Sequence, residues 1–290
     1  MSDGSQSCLG LIAGDGRLPF EVARSARAEG RRVCVVGYPG ITDPGLEKEV
    51  DSFTWLSLGQ FTKLLDEFSR QRVREAVMAG KVSKLHLYRG SETLQPDRRA
   101  LDLFDGIDDL RDDSILAAIA RALGEEGVEL LPQLQFCPNL VAQPGILGRI
   151  APSRAQFDDI AFAWPIAKAL GEFDVGQSVV VESRAVLAVE AIEGTDAAVR
   201  RGGALGSGGA SLVKVAKPAQ DLRFDLPTIG PETLRVMLEA RVTALAFEAH
   251  CTIILDREEL LRNANANGVP VVAIGLEGPT DIANSNLIDS

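Results

Sequence analysis

The chain has 290 residues, 46% of them hydrophobic and 24% charged, a composition that excludes disorder, collagen-like repeats and a short coiled coil and supports a real hydrophobic core. Thirty Lys and Arg against forty-one Asp and Glu leave a net charge of −11, which repels polyphosphate backbones, so nucleic acid is not an expected partner. No stretch reaches about 18 consecutive apolar residues and no basic-then-apolar leader opens the sequence, so it reads as neither membrane-spanning nor exported. The cysteines Cys8, Cys34, Cys137 and Cys251 lack C-x-x-C spacing and read as reduced thiols of a cytoplasmic protein. With His86 and His250 as the two histidines, any metal site falls to carboxylates and a hard cation.

In chain order, Cys8 to Ala13 is an apolar strand closed by Gly14-Asp15-Gly16, and Pro19 suits the first turn of a helix with Phe20, Ala23 and Ala26 on its inner face. Gly30 stops that helix before a second strand at Val33 to Gly37. A helix near Gly59 to Phe68, a strand at Ala76 to Ala79 and a helix over Asp112 to Glu126 follow. Residues 1–132 therefore read as a Rossmann-like open α/β domain. The proline-spaced stretch 133–154 reads as a linker, and 155–290 as a second α/β domain. In that second half, a helix at Gln156 to Leu170 precedes strands at Ser178 to Glu182 and Ala185 to Ala191, turning at Ser183-Arg184. Next come a helix at Thr195 to Arg201, a glycine-rich turn at Gly202 to Gly209, a strand at Ser211 to Ala216 and a helix at Pro231 to Ala240. Strands at Thr243 to Phe247 and Cys251 to Leu255, a helix capped by Asp256, and a last strand at Val271 to Ile274 complete the reading.

Gly14 and Gly16 stand where glycines let backbone N–H groups approach a phosphate at a helix N-terminus. The dinucleotide fingerprint is incomplete, because Pro19 replaces its third glycine and Tyr38 follows the second strand where a ribose-binding acid belongs, which disfavours an NAD-dependent oxidoreductase. Lys81 and Ser83 follow the third strand, whose loop shares a crevice with the Gly14 loop in an open parallel sheet. Glu190, Glu193 and Asp196 cluster at a strand end, beside Thr195, Arg200 and Arg201. Three such carboxylates suit one divalent cation and the arginines suit phosphate, while caps and dipole complements are the structural alternative. The irregular segment Lys217 to Gly230, with Gln220, Asp221, Arg223 and Asp225, has the composition of a functional loop, with a salt-bridged surface loop as its rival.

These residues carry a family likeness. Gly10-Leu-Ile-Ala-Gly14-x-Gly16-x-Leu18-Pro19, Ala79-Gly-Lys-Val-Ser83, Gly145-Ile-Leu-Gly148, Asp174-Val-Gly-Gln-Ser178, Val189-Glu-Ala-Ile-Glu-Gly-Thr-Asp196 and Lys217-Pro-x-Gln-Asp-x-Arg-Phe-Asp-x-Pro227 together resemble the UDP-2,3-diacylglucosamine pyrophosphatase family of lipid A biosynthesis, in the form unrelated to calcineurin-type phosphatases. The resemblance runs from about residue 9 to residue 275. It implies Mg²⁺-dependent hydrolysis of a lipid-linked nucleotide sugar to UMP and lipid X by a two-domain homodimer, with Mn²⁺ as a substitute ion and transient contact with the inner-membrane surface. The family's critical aspartate falls on Asp225. The expected catalytic residues are Asp225, Glu193 and Arg223, and the metal ligands Glu190, Asp196 and Asp225. Gly14, Gly16, Lys81, Ser83, Gln177, Thr195, Arg200, Lys217 and Gln220 are expected to bind substrate. The alternative from another class is a noncatalytic nucleotide-sugar binding or regulatory protein.

Overall fold

The computed structural model describes residues 8–82, 94–107 and 111–279; Ser83 and His86 lie outside the described residues. The chain divides into two compact units. One runs to Pro138 and takes in Asp221–Asp225; the other comprises Asn139–Gln220 and the chain from Leu226 onward.

The first unit is a five-stranded parallel sheet in the order β3-β2-β1-β4-β5, the doubly wound order expected when helices connect parallel strands. Its strands are β1 (Cys8–Ala13), β2 (Arg32–Gly37), β3 (Ser52–Trp55), β4 (Glu75–Ala79) and β5 (Glu129–Leu130). Its helices are α1 (Leu18–Ala28), α2 (Phe61–Arg70), α3 (Arg98–Asp105) and α4 (Asp112–Glu125). β1 is buried along its whole length, as a central parallel strand covered on both faces must be. Phe68 of α2 reaches the sheet because Gly10 has no Cβ; one there would lie 2.7 Å from the Phe68 ring.

The expectation of four reduced thiols is overturned. Cys8 and Cys34, on neighbouring strands whose register pairs Gly10 with Cys34, form a disulfide across a sequence separation of 26. Sequence spacing could not reveal this, since the β1–β2 crossover creates the proximity. By loop-closure entropy the bond is worth about 3 kcal/mol. Full reduction, or Cys34→Ser, is expected to lower the denaturant midpoint accordingly; identical midpoints with and without reductant would contradict it.

The second unit is a six-stranded mixed sheet, β6-β13-β11-β9-β7-β8, with a two-stranded β10-β12 ribbon beside it. Its strands are β6 (Gly145–Ile146), β7 (Ser178–Glu182), β8 (Ala185–Val189), β9 (Ala210–Lys214), β10 (Thr228–Ile229), β11 (Val242–Glu248), β12 (Ile253–Ile254) and β13 (Val271–Ile274). Its helices are α5 (Arg154–Glu172), α6 (Thr195–Leu205), α7 (Pro231–Glu239) and α8 (Arg257–Ala266). Strands β9, β11 and β13 run parallel, and β6 and β7 border them antiparallel. Alternation decides which face each side chain enters. Val179, Val181, Val213, Ala246 and Val272 pack under α5, whereas Val180, Leu212, Leu245, Phe247 and Val271 join the cluster that includes Val199, Leu234 and Leu260 of α6, α7 and α8.

Three local expectations change. The 133–154 stretch is not a free linker: Gln133, Phe136 and Cys137 are buried in the first unit, while Gly145–Ile146 pair with β13 in the second. Asp256 does precede a helix, but in the left-handed region at φ 45° and without a cap bond, whereas a capping side chain needs an extended backbone. Gly202 and Gly203 do not stop α6, which continues to Leu205. A Cβ on Gly202 would sit 2.6 Å from Val180, and one on Gly203 would sit 2.0 Å from the Ala240 carbonyl oxygen. Close packing, not helix termination, requires these glycines.

The glycine-rich turn beyond α6 is tied down by Glu182 at the end of β7. Its carboxylate accepts from the N–H groups of Ser207 (2.7 Å) and Gly209 (3.1 Å) and from the Ser207 hydroxyl. The Ser207 bonds hold the carboxyl below its ordinary range. A carboxyl depressed in the folded state stabilises above its unfolded pKa and loses that contribution as pH falls through the folded value. The turn should therefore loosen as acid is added below about pH 4.3. Exchange of the Ser207 and Gly209 amides, corrected for intrinsic rates, should rise there in the wild type, while Glu182→Gln should exchange fast at every pH.

Candidate functional site

In the first unit the loops after β1 and β4 meet at the switch point of strand order, where ligands of doubly wound sheets bind. Gly14 N–H donates to the Ala79 carbonyl (2.8 Å), Asp15 N–H to Lys81 (2.8 Å), and Lys81 N–H back to Asp15 (3.0 Å). Lys81 and the glycine turn thus lie together, as the shared crevice predicts. Gly14 serves close approach, since a Cβ there would lie 2.7 Å from the Lys81 carbonyl oxygen. Its N–H is spent on the Ala79 carbonyl, which leaves Gly16, at φ 96°, as the open part of the turn.

Segment Asp221–Asp225 also belongs to this unit. Gln133 N–H donates to the Leu222 carbonyl (2.9 Å), and Phe224 is 2% exposed in the core cluster that includes Leu123 and Leu130. The Arg223 guanidinium binds both oxygens of Asp221, which holds the Asp221 carboxyl below its usual range. Arg223 also borders an open pocket of about 550 Å³ with Arg74, Gly124, Gly127 and Leu130. Asp225 adopts a left-handed backbone, φ 55°. A non-glycine residue there marks a conformation imposed by its surroundings, and such outliers gather at functional sites.

In the second unit, polar side chains collect where β9 ends and β7 begins. Thr195 opens α6 behind Gly194, whose φ of 83° turns the chain into the helix without a side-chain cap. The Thr195 hydroxyl donates to Glu190 Oε1 (2.9 Å) and accepts from Lys214 Nζ (2.9 Å), with Ser178 Oγ at 3.5 Å. Glu190 Oε2 and Gln177 Oε1 are buried and have no hydrogen-bond partner among the described residues. Gly176 lets the start of β7 lie on Glu190, since a Cβ there would fall 2.2 Å from the Glu190 carbonyl oxygen. Glu190 and Thr195 are thus in direct contact, with the start of β7 against Glu190.

The sequence reading misses Lys214, 7% exposed. The available signal was a lysine inside the apolar run Ser211-Leu-Val-Lys214-Val-Ala, since a buried lysine demands an explanation. Two more lysines flank the same strand ends. Lys217 pairs with Asp174 at 2.6 Å, both side chains 6% exposed, and Lys168 binds the buried Glu248 at 2.6 Å. Glu248 also accepts from Ala216 N–H.

The remaining expected residues scatter. Glu193 is exposed and paired with Arg201 at 2.5 Å, and its own backbone N–H together with Arg201 holds its carboxyl low. Arg201 also donates to the Val189 carbonyl. Asp196 and Arg200 are exposed on α6, the Arg200 charge reaching Glu232. Gln220 donates its backbone N–H to the Lys217 carbonyl. Among the described residues no group of three or more His, Cys, Asp or Glu side chains gathers as a metal site. Glu190 and Asp196 fall in one unit and Asp225 in the other. Burial raises the Cys137 thiol and pushes Cys251 up to about 12, which silences both as nucleophiles.

Residues 8–140 match the LpxI N-terminal domain family and residues 143–272 the LpxI C-terminal domain family. The chain belongs to the LpxI family. A relative from Caulobacter vibrioides, "UDP-2,3-diacylglucosamine pyrophosphatase LpxI", is 32% identical over 277 residues, spanning 92% of this chain and 97% of that one. Solved structures give weaker likeness. The Bordetella bronchiseptica enzyme WbmG in complex with NAD has a TM-score of 0.29 at 16% identity, covering 44% of this chain and 37% of that one. Vitis vinifera leucoanthocyanidin reductase with NADPH has a TM-score of 0.30 at 10% identity, covering 98% and 83%. Scores this low carry no argument beside the LpxI match. Among the described residues no helix is long and apolar enough to cross a membrane.

Proposed function

We propose that this LpxI-family chain hydrolyses the pyrophosphate bond of UDP-2,3-diacylglucosamine, releasing UMP and lipid X, with Mg²⁺ as cofactor and Mn²⁺ as its substitute. The observation that carries the reading is the alignment with a relative of that named activity over nearly the whole of both chains. The residues on the second unit's strand ends suit the chemistry. A pyrophosphate brings concentrated negative charge, and Lys214 with the uncapped start of α6 offers positive charge in a largely buried setting.

Glu190 fits a hard cation. It offers a carboxylate oxygen that is buried and has no hydrogen-bond partner among the described residues, and Mg²⁺ ordinarily takes one or two carboxylates and fills its octahedron with water and substrate phosphates. Asp196, in the same unit, is the second proposed ligand. Bound there, the ion would screen the phosphates and make water a better nucleophile. Asp225 is assigned proton acceptance from the attacking water. Arg223, fixed by its ion pair with Asp221, contributes preset positive charge that needs no reorganisation during reaction, and Glu193 stays in the proposed catalytic set. Gly16, Lys81 and Ser83 in the first domain, and Gln177, Thr195, Arg200, Lys217 and Gln220 in the second, are the proposed substrate-binding residues.

A diacylated substrate resides in a membrane, so the reading includes a cytoplasmic protein that touches the inner-membrane surface transiently and acts as a homodimer. Exposed Phe173 and Val175, on the α5–β7 connection, support surface contact. Chelation separates this reading from a noncatalytic binder. UMP release should require Mg²⁺ and stop with excess chelator; retention of intact UDP-sugar under both conditions by folded protein would favour the binder.

A further inference from the structure

Three lysines approach the strand ends of the second unit, and two are neutralised by direct carboxylate contact: Lys217 by Asp174 and Lys168 by Glu248, each at 2.6 Å. Lys214 is different. Its side chain is as buried as that of Lys217, yet among the described residues its ammonium has no carboxylate within 4.0 Å and meets the Thr195 hydroxyl. Thr195 gives its one proton to Glu190 Oε1, so it can only accept from Lys214. An ammonium has three donors and spends one here. A buried cation lacking a counter-charge is costly unless an anion completes it. The first turn of α6, eleven residues long and without a side-chain cap, presents its N–H groups on the same residue, Thr195.

We infer that Lys214, held by the Glu190–Thr195 pair, is the seat of a phosphomonoester-type anion at the start of α6. Lys214 and the first-turn N–H groups contact the phosphate. Glu190 and Thr195 are positioning residues: the carboxylate sets the hydroxyl, and the hydroxyl aims the ammonium. This rests on the hydrolytic reading only for the identity of the natural phosphate, which belongs to the UMP half or the glycosyl phosphate half of the substrate.

Thermal unfolding of the full chain in metal-free buffer tests it, with millimolar inorganic phosphate, UMP or N-acetylglucosamine 1-phosphate as probes. Wild-type protein should be stabilised, most by the phosphomonoester whose remainder matches the natural ligand. Lys214→Met should weaken binding of that anion by about 10- to 150-fold, the range for a hydrogen bond to a charged group, while its ligand-free midpoint stays equal to or above wild type because an unpaired buried charge has been removed. Lys214→Arg should restore part of the anion response, and Thr195→Val should reduce it without abolishing folding. No stabilisation of wild type by any probe would overturn the inference, as would an undiminished response in Lys214→Met. A lower ligand-free midpoint in that variant would show Lys214 to be a satisfied core lysine and would overturn it too. Phosphate binding through Lys214 without UMP release from UDP-sugar would leave this inference standing and remove the hydrolytic reading; normal turnover by Lys214→Met would do the reverse.

Discussion

Asp225→Asn should lose about 10³-fold in turnover, corresponding to about 4 kcal/mol of transition-state stabilisation, with an unchanged unfolding midpoint. Asparagine is the informative replacement because it keeps the side-chain shape and tolerates the left-handed backbone that Asp225 occupies at φ 55°. Alanine should lose the same activity and, in addition, about 1 kcal/mol of stability from that backbone. Steady-state kinetics beside thermal unfolding separates the two effects. Near-normal turnover by folded Asp225→Asn would remove Asp225 from the chemistry.

One residue earlier, Phe224→Ala should act through stability. Phe224 is almost wholly buried in the first unit's core cluster, and emptying an aromatic core site costs about 3–5 kcal/mol, or roughly 10 °C for a unit of this size. It anchors the segment that carries Arg223 and Asp225, so turnover should fall with stability. Phe224→Leu should recover most of both. A Phe224→Ala protein with the wild-type midpoint would show that the segment is held by its backbone contact at Gln133 and not by the buried ring.

These neighbouring residues also show where sequence reading stops. Strands such as Cys8–Ala13 and Val271–Ile274 were legible because an apolar run bounded by glycine or proline has few other places to go. Two-residue strands such as β5 and β6 exist through partners distant in sequence, which local pattern cannot supply. The disulfide and the return of Asp221–Asp225 to the first unit are likewise products of topology. At the site, Glu190 and Thr195 were legible as polar residues at a strand end and a helix start, whereas Gln177 entered only through the family resemblance. Lys214 was hidden inside an apolar strand, and Gly202-Gly203 imitated a helix stop because a sequence does not show what a helix packs against. Gly14 matched a phosphate turn, and the structure gives its N–H to the Ala79 carbonyl at the end of β4.

Phosphorus NMR of UDP-2,3-diacylglucosamine incubated with the purified protein and Mg²⁺ tests the central claim most directly. The paired pyrophosphate resonances should give way to two phosphomonoester resonances in equal amount, assigned to UMP and lipid X, and should persist when chelator replaces Mg²⁺. Unchanged pyrophosphate resonances with folded, metal-supplied protein would contradict the account.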